Sequence, residues 1–309
     1  MNRRNEIVLA ASLICLALMV ARSGACADQV GMFDWETKLS RASGGDDWCG
    51  GIFTTAAGVT YVVVQGSTVP SDKMAVVRSY NANGGLLAQV SLATPSDGWS
   101  NLSELVVDGG GNLYVAGQGY MYFGFGLARY DSLGNLIWSR SFTSGGLWVD
   151  QVRGLTVDSS GVYVGGNRFQ QCGCTPTWSE TQSGQVVKYG LDGSYQWAYR
   201  TPAVVGYANS FGVAADGLGN VFFAVTLYDY AGPSSITFLK RISSAGSEVW
   251  SHTMTDTSWI GKLSCRQSDG RLFLAYDWWW YPSQIVRVKQ CDPLNGNEVA
   301  TGDWIVPQN

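Results

Sequence analysis

The chain repeats one pattern of paired hairpins, and this internal periodicity limits its fold more than any other feature. In the segment 105–117, an apolar run, an Asp/Gly turn and a second apolar run form the signature of a β-hairpin. The segment 127–138 gives a second hairpin, which turns at Gly134 and ends at Trp138. The two hairpins together predict a unit of four antiparallel strands.

The same unit recurs at intervals of roughly 50 to 60 residues, as expected of a repeat architecture. Glycine, which accepts a positive φ, marks both turns of each unit. The glycine of the first turn occurs as Gly58, Gly111, Gly161, Gly219 and Gly270. The glycine of the second turn occurs as Gly84, Gly134, Gly193, Gly246 and Gly296. The fourth strand carries a tryptophan as Trp138, Trp197 and Trp250, with Ala88 and the region of Val299 in its place elsewhere.

Five such units predict an all-β fold, a five-bladed β-propeller of four-stranded antiparallel blades. Each unit has a half-buried face that only a neighbouring unit can cover, and a closed ring covers them all. An open stack of the same sheets is the alternative, but it would leave two apolar end faces in water. The segments 34–39 and 297–306 both have the pattern of a fourth strand, so one of them is surplus to five blades.

Two segments of the second unit resemble a known group of repeats. Asp108-Gly-Gly-Gly-Asn-Leu-Tyr-Val-Ala-Gly117 and Tyr130-Asp-Ser-Leu-Gly-Asn-Leu-Ile-Trp138 resemble the bacterial SBBP-type β-propeller repeats. The spacing Asp-x-x-Gly-x-x-x-Trp is also similar to that of the pyrroloquinoline-quinone-like propeller repeat. The resemblance implies a propeller in an exported protein. It implies no single function, because such repeats occur in enzymes, adhesins and assembly factors alike.

The first residues have the features of a secretory signal peptide. Arg3 and Arg4 precede an almost uninterrupted apolar run over 7–20, which is shorter than the roughly 20 residues that span a bilayer. The small residues Ala25 and Ala27 then fit a signal-peptidase site. We therefore expect a signal peptide over 1–27, a single β-propeller domain over 28–309, and an extracytoplasmic (secreted or periplasmic) location. No later apolar stretch is long enough to span a membrane, so we expect no membrane span in the mature chain.

Composition excludes several classes of partner and site. The net charge of −4 argues against nucleic acid, since a phosphate-binding surface needs clustered Lys and Arg. His252 is the only histidine, which excludes a multi-histidine metal site, and no Gly-x-Ser-x-Gly motif accompanies it. We predict no catalytic residues, no metal site and no cofactor. The cysteines of the mature chain are odd in number, so at least one stays unpaired: Cys49, Cys172, Cys174, Cys265 and Cys291.

The loops that join the second to the third strand, and one blade to the next, are rich in aromatic residues. These loops lie on one face of a propeller, and variable loops on a rigid scaffold are where binding usually resides. The candidate ligand-binding residues are Trp99, Trp148, Trp259, Trp278, Trp279, Trp280, Tyr122 and Tyr228. If the run 278–280 is extended, its side chains alternate between two faces, so at least one ring is exposed. The alternative is that the aromatic residues of the crossovers wedge between blades as packing.

Acids in the same crossovers keep a second hypothesis open. Asp46, Asp47, Asp97, Asp150 and Asp256 could supply paired carboxylates for glycoside hydrolysis or oxygen ligands for calcium. We expect the acids of the repeated turns, Asp108, Asp158, Asp216 and Asp269, to be structural.

The sequence thus favours an exported propeller scaffold that binds a glycan, a cell-envelope component or a protein through its aromatic loops. Two alternatives remain: a polysaccharide-active enzyme of glycoside hydrolase type, and an assembly or structural protein that pairs through its surplus edge strand.

Overall fold

Five four-stranded antiparallel sheets follow one another along the chain, as the repeat predicts. The computed structural model describes residues 47–66, 73–95, 102–118, 124–142, 151–171, 180–229, 235–254, 259–266, 269–280 and 283–306. Within these ranges every regular element is a strand. The four strands of each unit are hydrogen-bonded in sequence order, so each unit is a simple meander and forms one blade.

The blades have the following bounds. Blade 1 contains β1 (Asp47–Thr54), β2 (Thr60–Gly66), β3 (Lys73–Tyr80) and β4 (Leu86–Ala93). Blade 2 contains β5 (Leu102–Val107), β6 (Leu113–Gln118), β7 (Phe125–Tyr130) and β8 (Leu136–Phe142). Blade 3 contains β9 (Gln151–Asp158), β10 (Gly161–Gln171), β11 (Glu180–Tyr189) and β12 (Tyr195–Arg200). Blade 4 contains β13 (Val204–Ala215), β14 (Val221–Asp229), β15 (Ser235–Ile242) and β16 (Glu248–Met254). Blade 5 contains β17 (Trp259–Arg266), β18 (Arg271–Trp280), β19 (Ser283–Cys291) and β20 (Glu298–Val306).

The predicted turn glycines are all at hairpin turns, and nine of the ten have φ between 71° and 91°. These turns define one end of the blades, which we call the turn face. The opposite end, where the first strand of each blade begins and the second strand ends, is the loop face. The 297–306 segment supplies β20, the fourth strand of blade 5. The other candidate for that place, 34–39, lies outside the described residues.

Apolar cores between consecutive blades hold the fold together. Val63 and Val77 of blade 1 pack with Leu105 and Val115 of blade 2, and the pattern continues through blade 5. The opposite face of blade 1 is also buried, at Val62, Val64 and Tyr80. Because that face points away from blade 2, its burial is what a closed ring requires. The structure is a five-bladed β-propeller.

The repeated tryptophans of blades 2, 3 and 4 each contact the blade that follows. The Trp138 indole Nε1 donates to the carbonyl oxygen of Leu191 at 3.0 Å, in the second turn of blade 3. Trp197 makes the same contact with Ser244 of blade 4 at 2.9 Å. In each case the indole also covers the turn glycine, so that a Cβ built on Gly193 or Gly246 would lie 2.8 Å from the ring. This contact explains why both the fourth-strand tryptophan and the turn glycine recur in the sequence.

Blades 3 and 4 are joined more tightly than the other described pairs. Strand β13 extends beyond its blade and pairs with β11, through Thr181 with Val205 and Gln182 with Val204, which makes one continuous sheet of the two blades. Beside this junction the Asn167 amide oxygen accepts hydrogen bonds from the backbone N–H and hydroxyl of Ser210, at 2.5 and 2.6 Å. The junction fixes the loop-face ends of these two blades relative to each other.

Candidate functional site

The structure describes only part of the predicted aromatic site. Trp99, Trp148 and Tyr122 lie outside the described residues. For four others the backbone is described but not the side chain: Trp259 begins β17, and Trp278, Trp279 and Trp280 end β18. The run 278–280 is paired along its length with β19, so it is extended. This is the condition under which we expect at least one of its three rings to be exposed. The aromatic binding site itself stays a prediction.

Tyr228 is the one predicted site residue whose side chain is described. It lies in β14 beside the loop face, and 42% of it is exposed. Val205 and Ile236, at the same end of blade 4, are similarly exposed at 47% and 44%. The other large exposed hydrophobic side chains among the described residues lie in the hairpin turns or on the outermost strands. Blade 4 therefore presents apolar side chains to solvent at its loop-face end.

The innermost strands carry a feature that sequence reasoning missed, a β-bulge at the same place in all five blades. Each bulge leaves one residue of the first strand without a partner in the second strand. The unpaired residues are Gly50, Ser103, Arg153, Phe211 and Gly261, and the residues that follow them are Gly51, Glu104, Gly154, Gly212 and Lys262. A bulge bends its strand and re-aims side chains, and bulges are common beside binding and active sites. We call these ten residues the bulge ring.

Close approach of neighbouring first strands explains the glycines of the bulge ring. A Cβ built on Gly51 would lie 2.9 Å from the backbone nitrogen of Leu105 in blade 2. A Cβ built on Gly154 would lie 2.7 Å from the backbone nitrogen of Val213. A Cβ built on Gly212 would lie 3.0 Å from the backbone nitrogen of Leu263. No larger side chain fits at these contacts without moving the backbone. The first strands therefore surround the axis of the ring at backbone-contact distance.

An ion pair crosses this axis. The Lys262 ammonium of blade 5 donates to both carboxylate oxygens of Glu104 in blade 2, each at 2.8 Å. Blades 2 and 5 are not neighbours in the ring, since blade 1 lies between them, so the pair spans the space around the axis that the bulge ring encloses. We call this space the channel. The Glu104 side chain is 14% exposed and that of Lys262 is 40% exposed. The lysine end of the pair is therefore accessible to solvent.

Arg153, the unpaired residue of the blade 3 bulge, places a second cation beside this pair. Its Nη2 donates to the side-chain oxygen of Gln151 at 2.7 Å, a neutral partner. Surrounding protein lowers the pKa of the Arg153 guanidinium from its ordinary value, and the charge of Glu104 offsets part of that effect. The cluster thus contains two cations and one carboxylate near the start of the first strands, which is the loop-face end of the channel.

Some sequence predictions about acids and metals can be compared with the described residues. The turn acids are structural, as predicted: Asp108 accepts the backbone N–H of Gly110 at 2.9 Å, and Asp216 that of Leu218 at 2.8 Å. Of the crossover acids, Asp46, Asp97, Asp150 and Asp256 lie outside the described residues, and Asp47 is described only in its backbone. Among the described residues, no three His, Cys, Asp or Glu side chains come together to hold a metal ion. Nor does this part of the chain contain a helix that could cross a membrane.

The side chains of two cysteines are described by the structure. Cys265 in β17 and Cys291 in β19 are free thiols. Burial raises the pKa of Cys265 to about 11 and that of Cys291 to about 12. The side chains of Cys49, Cys172 and Cys174 lie outside the described residues.

Comparison with known proteins adds structural likenesses at low sequence identity. No family model and no curated protein matches the chain, so the resemblance of its repeats to SBBP-type repeats stays a prediction. One similar structure is a chain of a nidogen/laminin complex. The match covers 82% of the present protein and 79% of the nidogen/laminin chain, with 12% sequence identity and a TM-score of 0.46. A putative 6-phosphogluconolactonase from Bacteroides fragilis is similar over 81% and 82%, with 8% identity and a TM-score of 0.39. The Dos1 propeller is similar over 74% and 65%, with 12% identity and a TM-score of 0.39. None of these likenesses bears on function.

Proposed function

We propose that the protein is an exported binding scaffold whose ligand, a glycan or other component of the cell envelope, docks on the loop face. The observation that carries the proposal is the exposed Tyr228, with Val205 and Ile236, at the loop-face end of blade 4. An exposed aromatic ring on a rigid sheet offers a flat apolar surface on which a sugar ring can stack. The junction between blades 3 and 4 supports it, because it holds this end of blade 4 in a fixed position.

The channel opening adds polar groups beside this apolar surface. Small-molecule sites usually combine an apolar lining with a few polar side chains that set orientation. Arg153 and Lys262 are accessible cations near the same end of the channel. The aromatic residues predicted on the neighbouring loops, above all Trp99, Trp148 and Tyr122, would complete the surface. We propose no catalytic step, since the scaffold needs only to bind.

Thermal unfolding of residues 28–309 against a panel of polysaccharides tests this proposal. A ligand present at 100 times its dissociation constant should stabilise the fold by about 2.7 kcal/mol. We expect the shift with the binding polysaccharide to fall in Tyr228→Ala. Tyr195→Ala is the matched control, because Tyr195 is a tyrosine of similar exposure that follows a hairpin turn on the turn face. A ligand shift that Tyr195→Ala reduces as much as Tyr228→Ala would contradict docking on the loop face.

A further inference from the structure

Arg153 has hydrogen-bonding capacity that the described residues do not use. A guanidinium carries five N–H donors, and here one of them reaches the neutral side chain of Gln151. Both oxygens of Glu104, the acid whose charge acts on Arg153, accept hydrogen bonds from Lys262. Within the described ranges, no carboxylate forms an ion pair with Arg153. Its charge therefore has no carboxylate partner among the described residues, and its side chain is open to solvent.

Electrostatics at this point favour an anion. The cluster of Glu104, Lys262 and Arg153 carries one net positive charge, so it attracts an anion that docks beside it. A singly charged group would neutralise the cluster. The planar fork of a guanidinium matches a carboxylate, which can accept two parallel hydrogen bonds from it.

The position of Arg153 connects this charge to the loop face. It is the third residue of β9, a strand that begins at the loop face, and the bulge turns its side chain out of the regular ladder. A ligand on the loop face that extends over the channel would bring its charged group to this end of the strand.

We propose that Arg153 binds the carboxylate of an acidic sugar in the ligand. This inference rests on the proposed function, because it names the chemical class of the glycan that the loop face binds. A uronic acid carries such a carboxylate on the sugar ring itself. Recognition would then combine stacking of the ring with an ion pair to its acid group, and a neutral sugar would bind with lower affinity.

Calorimetric titration with matched acidic and neutral oligosaccharides tests the inference. The probes are oligogalacturonate and oligoguluronate, each beside its methyl ester, which keeps the sugar and removes the charge. We expect methyl esterification of the oligosaccharide that binds to reduce its affinity for the wild type at least tenfold, and to have little effect on binding to Arg153→Gln. Arg153→Lys, which keeps the charge but loses the fork, should bind with intermediate affinity. The matched control is Arg78→Gln, since Arg78 also donates to a glutamine side chain but lies in β3 away from the channel.

The outcomes separate this inference from the proposed function. If acid and methyl ester bind equally well, or if Arg153→Gln binds the acid as tightly as the wild type, the loop face binds glycans but Arg153 does not select acidic ones. If no oligosaccharide binds, a second experiment decides. In an NMR titration, sodium acetate should shift the Arg153 Nε–H resonance more than sodium chloride of equal ionic strength does. This resonance is assigned by its absence from the spectrum of Arg153→Lys. An acetate shift supports a carboxylate site for a ligand other than these glycans. The absence of a shift overturns the inference.

Discussion

The contact between a fourth-strand tryptophan and the next blade makes a sharp prediction about two glycines. Gly246 and Gly111 both lie in hairpin turns, with φ of 84° and 80°. They differ in their surroundings. A Cβ on Gly246 would lie 2.8 Å from the ring atoms Cγ and Cδ2 of Trp197, whereas a Cβ on Gly111 would meet nothing closer than Ser132, at 3.8 Å. Alanine at these two positions therefore separates backbone strain from packing between blades.

The expected losses follow from the two costs. A left-handed backbone costs a non-glycine residue about 1–2 kcal/mol, and this cost applies to both variants. Insertion of a methyl group into a filled space costs a further 1–3 kcal/mol or so, and this cost applies to Gly246→Ala alone. We expect Gly111→Ala to lower the free energy of unfolding by about 1–2 kcal/mol and Gly246→Ala by about 2–5 kcal/mol.

Urea denaturation, followed by far-ultraviolet circular dichroism, measures the difference. The background variant Trp197→Ala provides a second comparison, because it removes the ring that the new methyl group would meet. In that background Gly246→Ala should cost less than it does in the wild type, although the Cβ of residue 197 stays 3.2 Å from the new methyl group. Equal losses for the two glycine variants in the wild-type background would refute the argument that the indole confines the turn.

Three further predictions concern other parts of the fold. Trp138→Phe should cost about 1 kcal/mol for its lost hydrogen bond, because the Leu191 carbonyl keeps a second donor from Arg129, and a further amount for the smaller ring in a buried place. Urea denaturation that shows no loss would contradict this. Cys265 and Cys291 should resist iodoacetamide at pH 8 in the folded protein and react in urea, because their raised pKa values keep them protonated as thiols. If mass spectrometry finds the two cysteines modified in the folded protein, the assigned burial is wrong. Hydrogen bonds from Asn135 lower the pKa of Asp131 below its ordinary value in the folded protein. Turn acids such as this one should therefore make the free energy of unfolding fall as the pH drops from 5 through their folded-state pKa values. A urea midpoint that is the same at pH 6 and pH 3 would contradict this linkage.

The repeat made the fold predictable because its signals are local. A turn glycine such as Gly134 and the tryptophan that follows it, Trp138, lie within one hairpin, so spacing alone identifies both strands. Each hairpin then implies a blade, and five blades imply a ring. The role of Trp138 was not predictable in the same way, because its partner, the Leu191 carbonyl, is 53 residues further along the chain.

The channel was missed because its signal is not local. Glu104 and Lys262 are 158 residues apart and meet only because the ring closes. The bulges that position them arise where the first strands come into contact near the axis, which hairpin patterns do not encode. Alignment of the units by their turn glycines would have given a clue, since it places Glu104 at the level where three other units have glycine, and Lys262 one residue away from that level. The aromatic candidates were identified from the composition of the loops. Among them, Tyr228 is the one whose exposure the described side chains give.

The tryptophan contacts have a direction. Each indole is covered by a turn of the blade that follows it in sequence, as Trp250 of blade 4 is covered by the turn at Gly296 of blade 5. During synthesis from the N-terminus, blades 2, 3 and 4 therefore each emerge with an uncovered indole, which becomes covered only when the next blade has been made. Loss of the last blade would expose an indole, whereas loss of the first blade would expose none of this set. The C-terminal blade thus completes the fold, and we expect truncated chains that end before it to be the ones that aggregate.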